Sequence, residues 1–272
     1  MSSSPLISAA ELADLLNRPD RSGIVLLDVR DAGEELFRLG HIPGARYLAF
    51  SETVCGPQTV ESGRCPLPDR EKLAAALGAL GLSRETSAVV YGNRDFRFPA
   101  RTWFTLRWMG MENVRVLDGN FPAWERAGLP LEAGDSQGWE KKAFVPGTSL
   151  ERIFTADEIE ADLEGKGEMT LIDGRSPAAL AAGRIPGSCG RLSDDNLDAD
   201  GLMKPAFELR SEFLQVLGDR APESVVHTCA AGIRATVNLL ACRRAGLPSK
   251  GVYVGSFTEW AKDPDRPVEV GM

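Results

Sequence analysis

The chain has 272 residues, of which 43% are hydrophobic and 26% charged. Such a composition is ordinary for a globular protein and excludes a disordered or fibrous chain. The formal net charge of −8 argues against nucleic acid or an anionic membrane as a partner, because either would require a basic face. The sequence opens without a basic and apolar leader and has no long apolar run, so we expect no targeting segment, no membrane span and a cytoplasmic location.

The first half alternates short apolar runs with amphipathic segments. Ser8 and Glu11 have the spacing of a capping box, which predicts a helix start. The runs "IVLLDV", "AVVY" and "VRVL" are typical of strands buried on both faces, and "DREKLAAALGAL" predicts a helix between two of them. Strand and helix in turn indicate an α/β fold, a parallel sheet wrapped by helices.

A stretch rich in glycine, serine and charge follows, "EAGDSQGWEKKAFVPGTS", and it has no apolar period. It predicts a linker. We therefore expect a first domain at residues 1–135, a linker at 136–149 and a second domain at 150–272.

The second half repeats the first. "LLDVRDAGEELFRLGHIPGA" at 26–45 returns as "LIDGRSPAALAAGRIPGSCG" at 171–190, and "DGNFPAW" at 118–124 returns as "VGSFTEW" at 254–260. "VVYGN" at 89–93 matches "VVHTC" at 225–229. The repeat predicts two tandem α/β domains of the same architecture, each a mainly parallel sheet wrapped by helices.

Cys229 ends an apolar run, at the place where a parallel sheet forms its binding face. A thiol reacts as its thiolate, and this position favours the anion. Small residues and Gly232 allow the backbone N–H groups of the loop to turn inward and form an anion-binding nest. The positive end of the following helix and the positive charge of Arg234 also stabilise the thiolate. No histidine base is needed for such a nucleophile. The alternative is a buried structural thiol beside a simple turn glycine.

The repeat separates these alternatives. By letter matching, Asn93 occupies the place of Cys229 in the first half, and "NRDFRFPAR" has no glycine where the second loop has one. We therefore expect a catalytically inert first domain and a specialised second one. Four residues lie between Cys229 and Arg234, one fewer than in Cys-dependent phosphatases. The shorter loop is expected to enclose a group smaller than a phosphoryl group, such as one additional sulfur atom. An arsenate reductase or phosphatase remains an alternative.

The other cysteines and the histidines give weaker signals. We expect free loop thiols at Cys55 and Cys65 and structural thiols at Cys189 and Cys242. The chain has two histidines and no close cysteine pair, so we expect no metal site. The residues predicted to have packing roles are His227, Trp124 and Trp260.

The sequence resembles the rhodanese family, and most closely its two-domain sulfurtransferases. The resemblance spans roughly residues 8–270 and is carried by "LLDVR" and "LIDGR", "GHIPGA" and "GRIPGS", "CAAGIRA", and "VGSFTEWAKDPDRPVE". It implies a ping-pong reaction in which a cysteine takes a sulfane sulfur from a small anionic donor. The resulting persulfide then passes the sulfur to cyanide, a thiol or a thioredoxin-like acceptor, with no metal and no organic cofactor.

The resemblance also assigns roles to residues. Cys229 would be the nucleophile, and Arg234 would bind the anionic end of the donor. Backbone N–H groups would stabilise the persulfide; they belong to Ala230, Ala231, Gly232 and Ile233. Arg175 matches an arginine that contacts substrate in two-domain members, but Arg30 stands at the same place in the first half, so a structural ion pair is an equal alternative.

The loop "AAGIR" departs from the family pattern. Mercaptopyruvate enzymes usually carry Gly-Ser-Gly-Val-Thr after the cysteine, and two-domain thiosulfate enzymes carry Arg-Lys-Gly-Val-Thr. The segment between Arg175 and "RIPG" is also shorter than in mercaptopyruvate enzymes. These departures favour thiosulfate or another sulfane donor over 3-mercaptopyruvate. A non-catalytic sulfur carrier or interaction module remains an alternative, because fold alone does not determine function.

Overall fold

The computed structural model describes residues 4–19, 23–30, 33–136, 138–165 and 167–271. The chain forms two compact units. The first holds the chain up to Gly56, with Pro68–Leu150 and Asp200–Leu202. The second holds Pro57–Leu67, Glu151–Ala199 and the chain from Met203 onward.

In the first unit, five parallel strands are ordered β1-β5-β4-β2-β3. The strands are β1 (Leu6–Ile7), β2 (Ile24–Asp28), β3 (Ala45–Tyr47), β4 (Ser87–Tyr91) and β5 (Val114–Leu117). The helices are α1 (Ala9–Leu16), α2 (Gly33–Leu39), α3 (Phe50–Thr53), α4 (Arg70–Ala79), α5 (Arg97–Trp108) and α6 (Asn120–Arg126). The predicted capping box at Ser8 and Glu11 is confirmed and begins α1.

In the second unit, five parallel strands are ordered β6-β10-β9-β7-β8. The strands are β6 (Ile153–Phe154), β7 (Thr170–Asp173), β8 (Cys189–Gly190), β9 (Val225–Thr228) and β10 (Gly251–Tyr253). The helices are α7 (Ala156–Glu164), α8 (Pro177–Ala182), α9 (Ala206–Leu217), α10 (Arg234–Arg244) and α11 (Ser256–Trp260). The two sheets have the same strand order, so the predicted tandem α/β fold is confirmed.

The two cores also correspond. Trp124 lies in the core cluster of the first unit and Trp260 in that of the second. Each indole N–H donates to a proline carbonyl at 2.8 Å, that of Pro130 or Pro267. The predicted packing role of both tryptophans is confirmed.

Two segments differ from the expected domain bounds. The predicted linker packs on the first unit, where the Lys142 N–H donates to the Gly78 carbonyl at 2.9 Å and Phe144 is buried. Pro57–Leu67 belongs to the second unit although it lies in the first half of the sequence. Its hydrogen bonds to α11 and to the residues after it explain this membership. Among the described residues, no helix is long and apolar enough to cross a membrane.

Candidate functional site

Cys229 follows β9, the central strand of its sheet, and its side chain is buried. The Cys229 N–H donates to the Ser256 hydroxyl at 3.2 Å, and that hydroxyl lies 3.9 Å from the Cys229 sulfur. Ser256 is fully buried and adopts a left-handed backbone with φ 57°. Its hydroxyl also lies 2.9 Å from the Tyr253 carbonyl, an alternative acceptor for its proton. Ser256 therefore contacts both the backbone and the sulfur of the candidate nucleophile.

Strand register sets which residues of the two units correspond. Asp28 of β2 pairs with Tyr91 of β4, and Asp173 of β7 pairs with Thr228 of β9. Because the two aspartates match in the repeat, Tyr91 corresponds to Thr228. The residue after each of them begins the loop that leads to α5 or α10.

Gly92, not Asn93, therefore occupies the position of Cys229, and the prediction for Asn93 is wrong by one residue. The Gly92 N–H donates to the Asn120 side chain at 3.1 Å, as the Cys229 N–H does to Ser256. Asn120 also has the left-handed backbone of Ser256, with φ 55°. The error arose because both strands contain a Val-Val pair, and matching these letters shifts the alignment by one position. The first unit has no thiol at this site.

Gly232 is required by its backbone geometry. Its φ of 69° lies in the left-handed region, which favours glycine. A Cβ atom added here would collide with the Val254 backbone carbonyl. Asp95 stands at the corresponding position of the first loop, so the loop of the first unit lacks this glycine, as predicted.

The carbonyl groups of the cysteine loop are held by α11. The Phe257 N–H donates to the Cys229 carbonyl and the Thr258 N–H to the Ala230 carbonyl, both at 3.0 Å. Within the described residues, the backbone N–H groups of Ala230, Ala231 and Ile233 have no acceptor. Such N–H groups are donors that an anion can use.

Arg234 is the first residue of α10, and its side chain is 31% exposed. Its Nη1 donates to the Ser193 hydroxyl and to the Asp194 carboxylate, each at 2.9 Å. Among the described residues, Nε and Nη2 have no hydrogen-bond partner. One edge of the guanidinium therefore remains available to an anion. Arg97 begins α5 at the corresponding position and pairs with Asp95 of its own loop at 2.7 Å.

Arg175 is 8% exposed and forms a buried ion pair with Asp173 at 2.7 Å. It also donates to the Gly183 carbonyl at 2.9 Å and lies over the Phe257 ring at 4.2 Å. Because the Phe257 N–H holds the Cys229 carbonyl, Arg175 reaches the cysteine loop through one intervening residue.

Arg30 makes the same contacts in the first unit. It pairs with Asp28 at 2.7 Å, donates to the Gly40 carbonyl at 2.7 Å and lies over the Phe121 ring at 4.2 Å. Arg30 thus makes these contacts in the unit where Gly92 stands in place of Cys229 and no thiol is present. The same contacts of Arg175 therefore support its role as a structural ion pair.

His227 lies in β9, two residues before Cys229, and is fully buried. Neither ring nitrogen has a hydrogen-bond partner among the described residues. Burial, together with the nearby positive charge of Arg243, lowers the pKa of His227 to about 3. The ring is therefore neutral at ordinary pH, and its predicted packing role is confirmed.

The cysteines other than Cys229 differ in state. Cys55 and Cys65 are disulfide-bonded, so the expectation of two free loop thiols is wrong. Cys189 and Cys242 are free thiols. Burial raises the pKa of Cys242 to about 12, which makes its thiol inert. In the described ranges, no three His, Cys, Asp or Glu side chains are grouped as metal ligands.

The loop Pro57–Leu67 was not anticipated as a neighbour of α11. The Gly63 N–H donates to the Glu259 carboxylate at 3.4 Å, and the Lys262 ammonium donates to the Thr59 carbonyl at 3.2 Å. No local sequence pattern predicts these contacts, because about 200 residues separate the partners.

These features define a class: tandem α/β proteins in which an arginine begins the helix after each of two equivalent loops and one of the two loops carries a cysteine. The family model for the rhodanese-like domain matches residues 8–127 and 155–263. The chain therefore belongs to the rhodanese-like family, and the family predicted from the sequence is confirmed.

Several relatives match over the whole length. The chain is 34% identical over 288 aligned residues to a probable 3-mercaptopyruvate sulfurtransferase of Pseudomonas aeruginosa, with 100% of both chains covered. It is 30% identical to a putative thiosulfate sulfurtransferase of Mycobacterium tuberculosis, covering 98% of this chain and 97% of that one. The structure of the 3-mercaptopyruvate sulfurtransferase from Leishmania major has the same fold, with a TM-score of 0.84, 22% identity, and 97% of this chain and 75% of that chain covered.

Proposed function

We propose that this protein is a sulfurtransferase that carries a sulfane sulfur as a persulfide on Cys229. The observation that carries the proposal is the loop itself. Cys229 lies in the loop that precedes α10, and the carbonyls of Cys229 and Ala230 accept hydrogen bonds from α11. The N–H groups of Ala230, Ala231 and Ile233 have no acceptor in the described part of the chain. Two relatives that match over nearly the whole length add support, since one is a probable 3-mercaptopyruvate sulfurtransferase and the other a putative thiosulfate sulfurtransferase.

The reaction has two half-steps. The Cys229 thiolate attacks the outer sulfur of thiosulfate, a new S–S bond forms, and the donor S–S bond breaks as sulfite leaves with the electron pair. A thiolate or cyanide then attacks the outer sulfur of the persulfide. The products are an acceptor persulfide or thiocyanate and the regenerated Cys229 thiolate. No net oxidation or reduction of the protein occurs.

The loop supplies stabilisation where negative charge develops. Fixed N–H donors are effective at this task because they need no reorganisation during the reaction. We assign the persulfide to the N–H groups of Ala230, Ala231, Gly232 and Ile233. The free edge of Arg234 binds the sulfonate of the donor. Arg175 remains a candidate donor contact, and its ion pair with Asp173 supports the structural alternative.

We propose thiosulfate as the preferred donor, because the loop and the short segment after Arg175 depart from the mercaptopyruvate pattern. Cyanide, a small thiol or a thioredoxin-like dithiol would accept the sulfur. We place the reaction in the cytoplasm, where reducing conditions keep Cys229 as a thiol.

The test is intact mass spectrometry of the protein after incubation with thiosulfate or with 3-mercaptopyruvate. Wild type should gain one sulfur, roughly 32 Da, and lose it again on addition of cyanide. Cys229→Ser should gain nothing, whereas Cys189→Ser, a matched change at another free thiol, should load like wild type. A correctly folded wild type that loads from neither donor would contradict the proposal.

The same assay separates the alternatives. Loading of Cys229 without turnover by cyanide, thiols or a dithiol would support a sulfur carrier. Hydrolysis of a small aryl phosphate that depends on Cys229 would support a phosphatase.

A further inference from the structure

Arg234 is held by a short 3-10 turn, Ser193–Asn196. Its Nη1 lies 2.9 Å from the Ser193 hydroxyl and 2.9 Å from an Asp194 carboxylate oxygen. The Ser193 hydroxyl is also 2.9 Å from that same oxygen, to which it donates. Arginine, serine and aspartate thus form a closed triangle beside the cysteine loop.

A polar network fixes this turn. The Ser193 N–H donates to the Gly174 carbonyl at 3.2 Å. The Asn196 side chain donates to that of Asn238 at 2.7 Å, and Asn238 donates to the Arg191 carbonyl at 3.0 Å. The side chains in this network are buried, and buried polar groups that are fully paired hold a single geometry.

The helix α10 is therefore attached to the turn at two successive helical turns. Arg234 contacts Asp194, and Asn238, four residues further along the same face, contacts Asn196. The Asp194 carboxylate is kept at a defined place although its own side chain is 57% exposed.

A fixed carboxylate at this place has an electrostatic consequence. It occupies one side of the guanidinium and cancels part of the Arg234 charge, while Nε and Nη2 have no partner among the residues that the structure describes. An anion that binds the open edge meets the attraction of Arg234 and the repulsion of Asp194 together. The repulsion grows with the charge of the anion, so a dianion is weakened more than a monoanion.

We propose that Asp194 is a specificity-determining residue, because its negative charge weakens the binding of dianions to Arg234. This inference rests on the sulfurtransferase function proposed above. Thiosulfate and the sulfite that it leaves behind are both dianions at slightly alkaline pH. Asp194 keeps both bound weakly enough to exchange, so that sulfite departs before the acceptor arrives. In the first unit, Arg97 has its counter-charge in its own loop, at Asp95.

The test uses Asp194→Asn, which keeps a hydrogen-bond acceptor for Arg234 and removes only the charge. At pH 8, we expect the KM for thiosulfate and the inhibition constant of sulfite each to fall by about two- to fivefold, the range of a partly exposed ion pair. The KM for 3-mercaptopyruvate, whose carboxylate carries a single charge, should fall less. Asp195→Asn is the matched control, because it removes the same charge one residue away and should leave all three constants unchanged.

A double-mutant cycle on Asp194 and Arg234 shows whether the effect of Asp194 depends on Arg234. In an Arg234→Gln background, the anion loses the contact that holds it beside Asp194, so Asp194→Asn should change the sulfite constant less than it does in wild type. A raised KM for thiosulfate in Asp194→Asn would overturn the inference and make Asp194 a purely positioning residue. Equal changes for both donors would overturn it as well. If wild type loads no sulfur in the mass assay, the proposed function itself fails, an outcome that the Asp194 variants cannot produce.

Discussion

The buried His227 should make the stability of the protein fall as the pH drops below about 6.5. Burial lowers its pKa to about 3 in the folded state, whereas an exposed histidine in the unfolded chain has a pKa of about 6.5. Below that value the unfolded chain binds a proton that the folded protein does not bind. The free energy of unfolding is therefore unaffected by His227 above about pH 7 and decreases as the pH falls.

The size of the effect follows from the same linkage. Each pH unit below the unfolded pKa costs about 1.4 kcal/mol, so the loss between pH 7.5 and pH 5 is about 2 kcal/mol. The folded ring stays neutral throughout this interval, so the loss depends only on the unfolded pKa.

The measurement is urea unfolding of the full chain at several values between pH 5 and pH 7.5, for wild type and for His227→Leu. Leucine is a suitable replacement because Val90, an aliphatic residue, occupies the matching position in β4. At pH 7.5 the variant should be as stable as wild type or more stable by about 1 kcal/mol, since it removes two unpaired buried nitrogens. Its advantage over wild type should grow by about 2 kcal/mol at pH 5. An advantage that stays constant with pH would refute the reasoning.

Three further predictions concern the site. Arg175→Gln and the matched Arg30→Gln should each lose about 3 kcal/mol of stability, because each leaves a buried carboxylate unpaired. If the donor KM rises in Arg175→Gln alone, Arg175 also contacts the donor. Gly232→Ala should cost about 2 kcal/mol or more by thermal unfolding and prevent persulfide loading, because its φ is positive and a carbonyl occupies the Cβ position; normal loading would contradict this. Ser256→Ala should cost about 1–3 kcal/mol, because it leaves the Cys229 N–H unpaired, whereas Ser256→Asn, the residue of the first unit, should keep most of that stability.

Local patterns were enough to predict the tandem α/β fold, the capping box of α1, the tryptophan packing and the cysteine loop. Each of these features is encoded within a few neighbouring residues, as apolar runs, helix caps or a strand-loop-helix junction. The repeat added a second copy of every signal. It also misled at one position, because a Val-Val pair occurs in both β4 and β9 and the letters align one residue away from the true register.

The partners of the loop could not be predicted in the same way. Ser256 lies 27 residues from Cys229, and Asp194 lies 40 residues from Arg234. Such pairs depend on which strands are adjacent and on which loops leave the same edge of the sheet.

The sequence by itself therefore determined the fold, the family and the position of the candidate nucleophile. Only the tertiary structure decided that Gly92 matches Cys229, that Ser256 contacts its sulfur and that Asp194 opposes Arg234. The physical reason is that backbone preference and hydrophobic pattern act over short sequence distances. Hydrogen bonds and ion pairs at a site form between segments that only folding brings together.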